Sequence, residues 1–139
     1  MTERFLKFIP FIFKWEGGYD NDKDDPGGET KFGIDKRSHP REDIRNLTKE
    51  RATQIYFESY WQPNGCEAMP QRLGEVYFNA CVNCGAGRAH SLLAKAGDWE
   101  RFLRLQEDFY HRLAVARPAS RKYLKGWLNR LYDLKKTLS

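Results

Sequence analysis

Three side chains near the start of the chain have the types and spacing of an acid/base site: Glu16, Asp25 nine positions later, and Thr30. Cleaving an acetal such as a glycosidic bond needs two carboxyl functions in different protonation states. One, protonated, serves the leaving oxygen; the other, ionised, holds water or steadies positive charge. The surroundings of Glu16 and Asp25 differ in that sense. Glu16 extends the apolar row Phe5, Ile9, Ile12, and a carboxyl at the edge of an apolar core is disfavoured in its charged form, which raises its pKa. Asp25 belongs to a polar run with Asp20, Asp22, Asp24, Pro26, Gly27 and Gly28. Glycines on both sides of that run let it fold back toward Glu16, and Thr30 adds a hydroxyl that could orient water.

Each feature taken singly has an ordinary explanation. A glutamate can end any surface helix, although the helix dipole disfavours it there, and Asp-Pro-Gly-Gly favours turns everywhere. Together, an apolar helix, Glu-Gly-Gly, a later Asp and Gly-Gly-x-Thr-x-x-Gly-Ile are far more specific. Other chemistries fit less well. Asp20, Asp22 and Asp24 open like a calcium loop, but its sixth position is Asp25 rather than Gly and its twelfth is Lys31 rather than Glu. Cys81-Val82-Asn83-Cys84 lacks the second C-x-x-C that zinc would need beside Cys66 and His90. The three histidines are scattered. No metal and no cofactor are expected.

Around this site the periodicity predicts mostly helices. Residues 3–16 place Phe5, Phe8, Ile9, Ile12 and Trp15 on one face, with Pro10 either bending the helix or delaying its start. From Gly17 to Asp35 turns and short extended pieces are expected, with a small hairpin around Pro26-Gly27-Gly28. Thr48 is a plausible N-cap for a helix ending at Gln62-Pro63-Asn64-Gly65. Pro70 opens another, closed by Gly85, and a short helix runs from about Arg88 to Ala96. Asp98 caps a longer helix bearing Phe102, Leu105, Phe109, Leu113 and Ala116, stopped by Pro118. A last helix starts at Ser120. Its residues Tyr123, Trp127 and Tyr132 are expected in the core, with Arg121, Lys122, Lys125, Arg130, Lys135 and Lys136 on the other side. The fold class is α+β, predominantly α: a helical bundle with a small N-terminal loop and β-hairpin region, all in one domain spanning 1–139.

At this point the residues carry a resemblance. Glu16-Gly17-Gly18-Tyr19 followed by Asp24-Asp25-Pro26-Gly27-Gly28-Glu29-Thr30-Lys31-Phe32-Gly33-Ile34 resembles the N-terminal signature of glycoside hydrolase family 108, the N-acetylmuramidases of phages and of bacterial secretion loci. Tyr60-Trp61, Val82-Asn83-x-Gly85, and Arg117-Pro118 through Gly126-Trp127-Leu128-Asn129-Arg130 are similar to the family's C-terminal peptidoglycan-binding region. Asn79 departs from the pattern, standing where an aspartate is expected, as does Leu92-Leu93 for Leu-Gln. The resemblance implies a lysozyme-like fold, with 1–60 as the muramidase catalytic half and 61–139 as a helical half resembling a peptidoglycan-binding region. It also implies hydrolysis of the β-1,4 bond between N-acetylmuramic acid and N-acetylglucosamine. Glu16, Asp25 and Thr30 then take the catalytic roles, with substrate contacts at Tyr19, Tyr60, Trp61 and Asn83. A lytic transglycosylase using Glu16 alone, or a non-catalytic wall- or nucleic-acid-binding protein, is the alternative.

Composition bounds the rest. A net charge of +5 favours polyanionic partners by long-range attraction, yet no nucleic-acid motif is present. Charge does not choose among such partners; the resemblance implies the peptidoglycan glycan strand. The run Phe5 to Phe13 is broken by Lys7 and Pro10 and is too short for a membrane span. The expectation is a monomer made in the cytoplasm without a signal peptide, in the manner of a phage endolysin. It would act on the wall in the periplasm after passing a holin or secretion pore.

Overall fold

Helix α1, Glu3–Trp15, buries Phe5, Phe8, Ile9, Phe11 and Ile12, the three-and-four spacing of an amphipathic helix. Thr2 caps it by accepting the Phe5 N–H at 3.2 Å. The helix starts at Glu3 and continues through Pro10 without a break. Proline lacks the N–H that would reach the Leu6 carbonyl, but Pro10 and Leu6 both lie on the solvent side, where water can replace the lost bond. The computed structural model describes residues 1–21 and 28–139, and they form two compact units, Met1–Pro63 and Asn64–Ser139.

In the first unit a two-stranded antiparallel hairpin follows, β1 Thr30–Lys31 and β2 Ile34–Asp35, with Thr30 opposite Asp35 and Lys31 opposite Ile34. Its turn is Phe32-Gly33. The hairpin expected around Pro26-Gly27-Gly28 falls largely on residues outside the described ones. Helix α2, Lys49–Tyr56, starts where expected because Thr48 Oγ1 accepts the Arg51 N–H at 3.1 Å. It continues into a π-helical turn, Phe57–Trp61, in which the Gln62 N–H reaches the Phe57 carbonyl at 2.9 Å.

The second unit is helical throughout. α3 runs over Leu73–Cys84, α4 over Ala86–Leu93, α5 over Trp99–Ala116 and α6 over Leu124–Leu138, with short 3₁₀ turns at Cys66–Ala68 and Pro118–Tyr123. α3 packs on α4 and α5, and α5 on α6. The α3 start differs from the expected Pro70, since Arg72 has φ of +73° and must come before the helix. Gly85, at φ +86°, separates α3 from α4 as a conformation that disfavours other residues. Asp98 Oδ1 caps α5 by accepting the Arg101 N–H at 2.8 Å.

The buried face of α5 is not the expected one. Phe102, Leu103, Gln106, Tyr110 and Ala114 face inward, while Leu105, Phe109 and Leu113 are only half-buried and Ala116 is exposed. The stripe is displaced by about one residue, roughly 100° of helix rotation. On α6, Tyr123 and Tyr132 are 53% and 52% exposed rather than in the core, and Arg130, expected on the basic outer side, is buried.

Cys66 and Cys81 are buried and Cys84 half-buried, all as free thiols. Burial pushes the Cys81 thiol up to about 12 and that of Cys84 to about 11. A raised thiol pKa means less thiolate at a given pH. At pH 8 the thiolate fraction of Cys84 should be about 100-fold below that of an ordinary thiol, and iodoacetamide should modify the native protein correspondingly slowly. Replacing Asp98 by Ala should cost about 1 kcal/mol, read as a lower urea midpoint with an unchanged slope.

Candidate active site

Glu16 is the C-cap of α1. Its backbone is extended, φ −89° and ψ 133°, and its N–H closes the helix on the Ile12 carbonyl at 2.9 Å. The side chain is half-buried. What it meets is the hairpin turn. At Gly33, φ +80°, an added Cβ would collide with Tyr56 Oη and come within 2.8 Å of Glu16 Cγ and Oε2. The turn backbone therefore fills the space between a carboxyl and a phenol, and only glycine fits there.

The turn is itself held under strain. Phe32 has φ of +54° and Gly33 follows at +80°, the positive pair of a type I′ hairpin. A non-glycine residue in that region costs about 1–2 kcal/mol. Two contacts hold Phe32 in place: the buried Tyr56 hydroxyl donates to its carbonyl at 2.7 Å, and its ring packs edge-on against Phe13 at 5.8 Å. Tyr56 and Phe13 also touch, at 5.9 Å.

Tyr60 belongs to the same neighbourhood. Burial pushes its hydroxyl above the ordinary tyrosine value, with the Asp35 and Glu16 charges acting in the same direction. It shares a 3.2 Å hydrogen bond with His39 Nε2, and its ring lies 5.5 Å from that of Tyr56. The hairpin thus brings Glu16, Asp35, Tyr56 and Tyr60 together.

Thr30 lies in β1, with backbone bonds of 2.7 and 2.8 Å to Asp20 on one side and Asp35 opposite it on the other. Its hydroxyl donates to the Gly28 carbonyl at 3.2 Å, leaving its lone pairs to accept. Tyr19 is 43% exposed and its hydroxyl donates to Glu29, a bond that raises its pKa. Asp25 lies outside the described residues. Trp61 departs from the expected substrate contact. It is fully buried, edge-on to Phe5 at 5.5 Å with the Arg4 guanidinium 5.6 Å from its ring, and so has no face open to a saccharide. Asn83 lies in the second unit, where its Nδ2 donates to Tyr110 Oη. Tyr56 went unrecognised in the sequence, because at its position on α2 it reads as core. The signal was a tyrosine on a buried face, since its hydroxyl must find a partner.

A mostly helical chain with a small antiparallel hairpin, and a glutamate at the end of the buried first helix facing that hairpin, is a lysozyme-like α+β arrangement. The chain belongs to the Glycosyl hydrolase 108 family, whose model matches residues 9–85. This is a family of peptidoglycan-degrading muramidases, and the protein is a glycoside hydrolase acting on peptidoglycan. A solved structure of Brucella abortus SagA is similar in fold, with a TM-score of 0.77 and 24% identity over 96% of this chain and 92% of that one. No curated protein matches the chain. Among the described residues no helix is long and apolar enough to cross a membrane.

Two glycine substitutions separate steric from conformational effects. Gly28, φ +73°, has open space around a Cβ position, so Gly28→Ala should cost only the backbone term of about 1–2 kcal/mol. Gly33→Ala adds a collision with Tyr56 and Glu16, and should lower wall-lytic activity by at least ~10-fold more than Gly28→Ala when assayed below both melting temperatures.

Proposed function

We propose that the protein cleaves the β-1,4 bond between N-acetylmuramic acid and N-acetylglucosamine with Glu16 as general acid. The observation that carries this reading is the placement of Glu16 at the end of α1 with its carboxyl against the Gly33 turn. A protonated Glu16 passes its proton to the glycosidic oxygen as the bond to C1 breaks. Positive charge then develops at C1 and the ring oxygen. Asp25 supplies the ionised carboxylate that steadies this charge or holds the incoming water, and Thr30 orients that water. The Thr30 hydroxyl suits the role, because its own proton is engaged by Gly28 and its lone pairs can accept from water. Water adds to C1, and its proton leaves to the carboxylate that activated it. A carboxyl separation of roughly 6.5–9.5 Å would give inversion and one of ~5 Å retention.

Tyr19 and Tyr60 border the bound glycan in this scheme, and residues 61–139 form a region that grips peptidoglycan, with Asn83 in it. The role that suits such a chain is that of a phage endolysin. It works as a monomer on the periplasmic face of the wall after passing a holin or secretion pore.

Glu16→Gln should keep the fold, with an unchanged circular-dichroism spectrum. It should lose about 10²–10⁴-fold in the release of reducing ends from purified peptidoglycan. Full activity in that variant would sink the assignment. Mass spectrometry of the products separates hydrolysis from an anhydro-forming transglycosylase.

A further inference from the structure

A cleft of about 490 Å³ opens within the second unit, between the end of α3, α4, α5 and α6. That size is within the ~300–1,000 Å³ usual for ligand sites. Its floor is the Tyr110 ring, on which Trp127 stacks at 5.0 Å and 25°. Its wall carries Phe109 and Leu113, the α5 residues that the helix rotation keeps out of the core. Two guanidiniums line it, Arg88 and Arg117, and among the described residues no aspartate or glutamate does. Arg88 is preset by lying 4.5 Å above the Phe109 ring.

The hydrogen-bonding character of this lining selects a ligand. Sugar hydroxyls need acceptors as well as donors, and the neutral polar groups here are largely committed. Asn83 donates to Tyr110 Oη and accepts from Arg130 Nη1 at 3.5 Å, and Ser91 Oγ donates to the Gly87 carbonyl. Donors are in excess through the two arginines, and a guanidinium pairs best with a planar carboxylate. The apolar floor and wall suit small aliphatic side chains between such carboxylates.

We propose that this cleft binds the carboxylate-bearing stem peptide of peptidoglycan. It gives the protein a second hold on the wall, made wholly of residues of the Asn64–Ser139 unit and additional to its hold on the glycan strand. The proposal rests on the reading of this protein as a peptidoglycan hydrolase. Arg88 and Arg117 pair with the peptide carboxylates, and Trp127 and Phe109 cover its aliphatic body.

The test is calorimetric titration of the full chain with the soluble tetrapeptide L-Ala-γ-D-Glu-meso-diaminopimelyl-D-Ala. The comparison is with the same peptide with amidated carboxylates, an N-acetylglucosamine tetramer and a short oligonucleotide. Binding of the free tetrapeptide should weaken at least ~10-fold on amidation, and by a similar factor in the Arg88→Gln/Arg117→Gln variant. Both arginines are exposed, so the variant should fold, as an unchanged melting temperature would verify. No binding of the tetrapeptide, undiminished binding by the variant, or preference for the sugar tetramer or the oligonucleotide would overturn the proposal. Release of reducing ends from peptide-stripped glycan by the unaltered protein reports on the hydrolase reading by itself, so the two can fail separately.

Discussion

The first unit depends on one close approach, the turn at Phe32-Gly33 wedged between Glu16 and Tyr56. Helix α1 ends at Trp15, and the extended backbone of its capping residue, Glu16, does not by itself direct the carboxyl. The hairpin supplies the constraint. With no Cβ, Gly33 lets backbone reach both the carboxyl and the phenol, and the Tyr56 hydroxyl ties the strained Phe32 carbonyl to α2. Strain of this kind persists only where surrounding contacts outweigh it. Here Phe13, Phe32 and Tyr56 supply them, so the aromatic packing that stabilises the unit also sets the acid's environment.

In the second unit the corresponding constraint is polar. Gln106 Nε2 and Asn83 Nδ2 both donate to Tyr110 Oη, and Arg130 Nε donates to Asn79 Oδ1 at 2.9 Å. Gln106, Asn79 and Arg130 are all buried. Bonding a buried polar group recovers part of the cost of burying it, so these contacts among α3, α5 and α6 favour the rotation of α5 that keeps Gln106 and Tyr110 inside. With Gln106 and Tyr110 inside, Phe109 and Leu113 must turn outward, and the cleft beside Trp127 follows. Asn79, where the family pattern suggests an aspartate, meets Arg130 with a neutral amide oxygen.

Local chemistry made much of the framework legible. Thr48 and Asp98 begin their helices with the capping bonds their side chains suggest, and Gly85 ends α3 at a positive φ. A capping bond spans three residues, so sequence neighbours suffice to recognise it. The failures involve distance. Trp61, which the resemblance makes a substrate contact, is enclosed by Phe5 and Arg4, more than fifty residues earlier. Tyr123 and Tyr132 looked like core and are open, because the rows of α5 and α6 that face inward are set by polar partners invisible to hydrophobic spacing.

The sequence alone determined that an apolar helix ends in Glu16, that a glycine-rich acidic segment follows it, and that capped helices make up the remainder. Spacing, propensity and capping are properties of near neighbours, so the chain carries them openly. Only the tertiary structure decided which backbone touches the Glu16 carboxyl, which aromatic rings are enclosed and which stay open, and where arginines gather around a cleft. Those outcomes depend on contacts between segments far apart in the chain, and on buried hydrogen bonds whose partners no local pattern reveals.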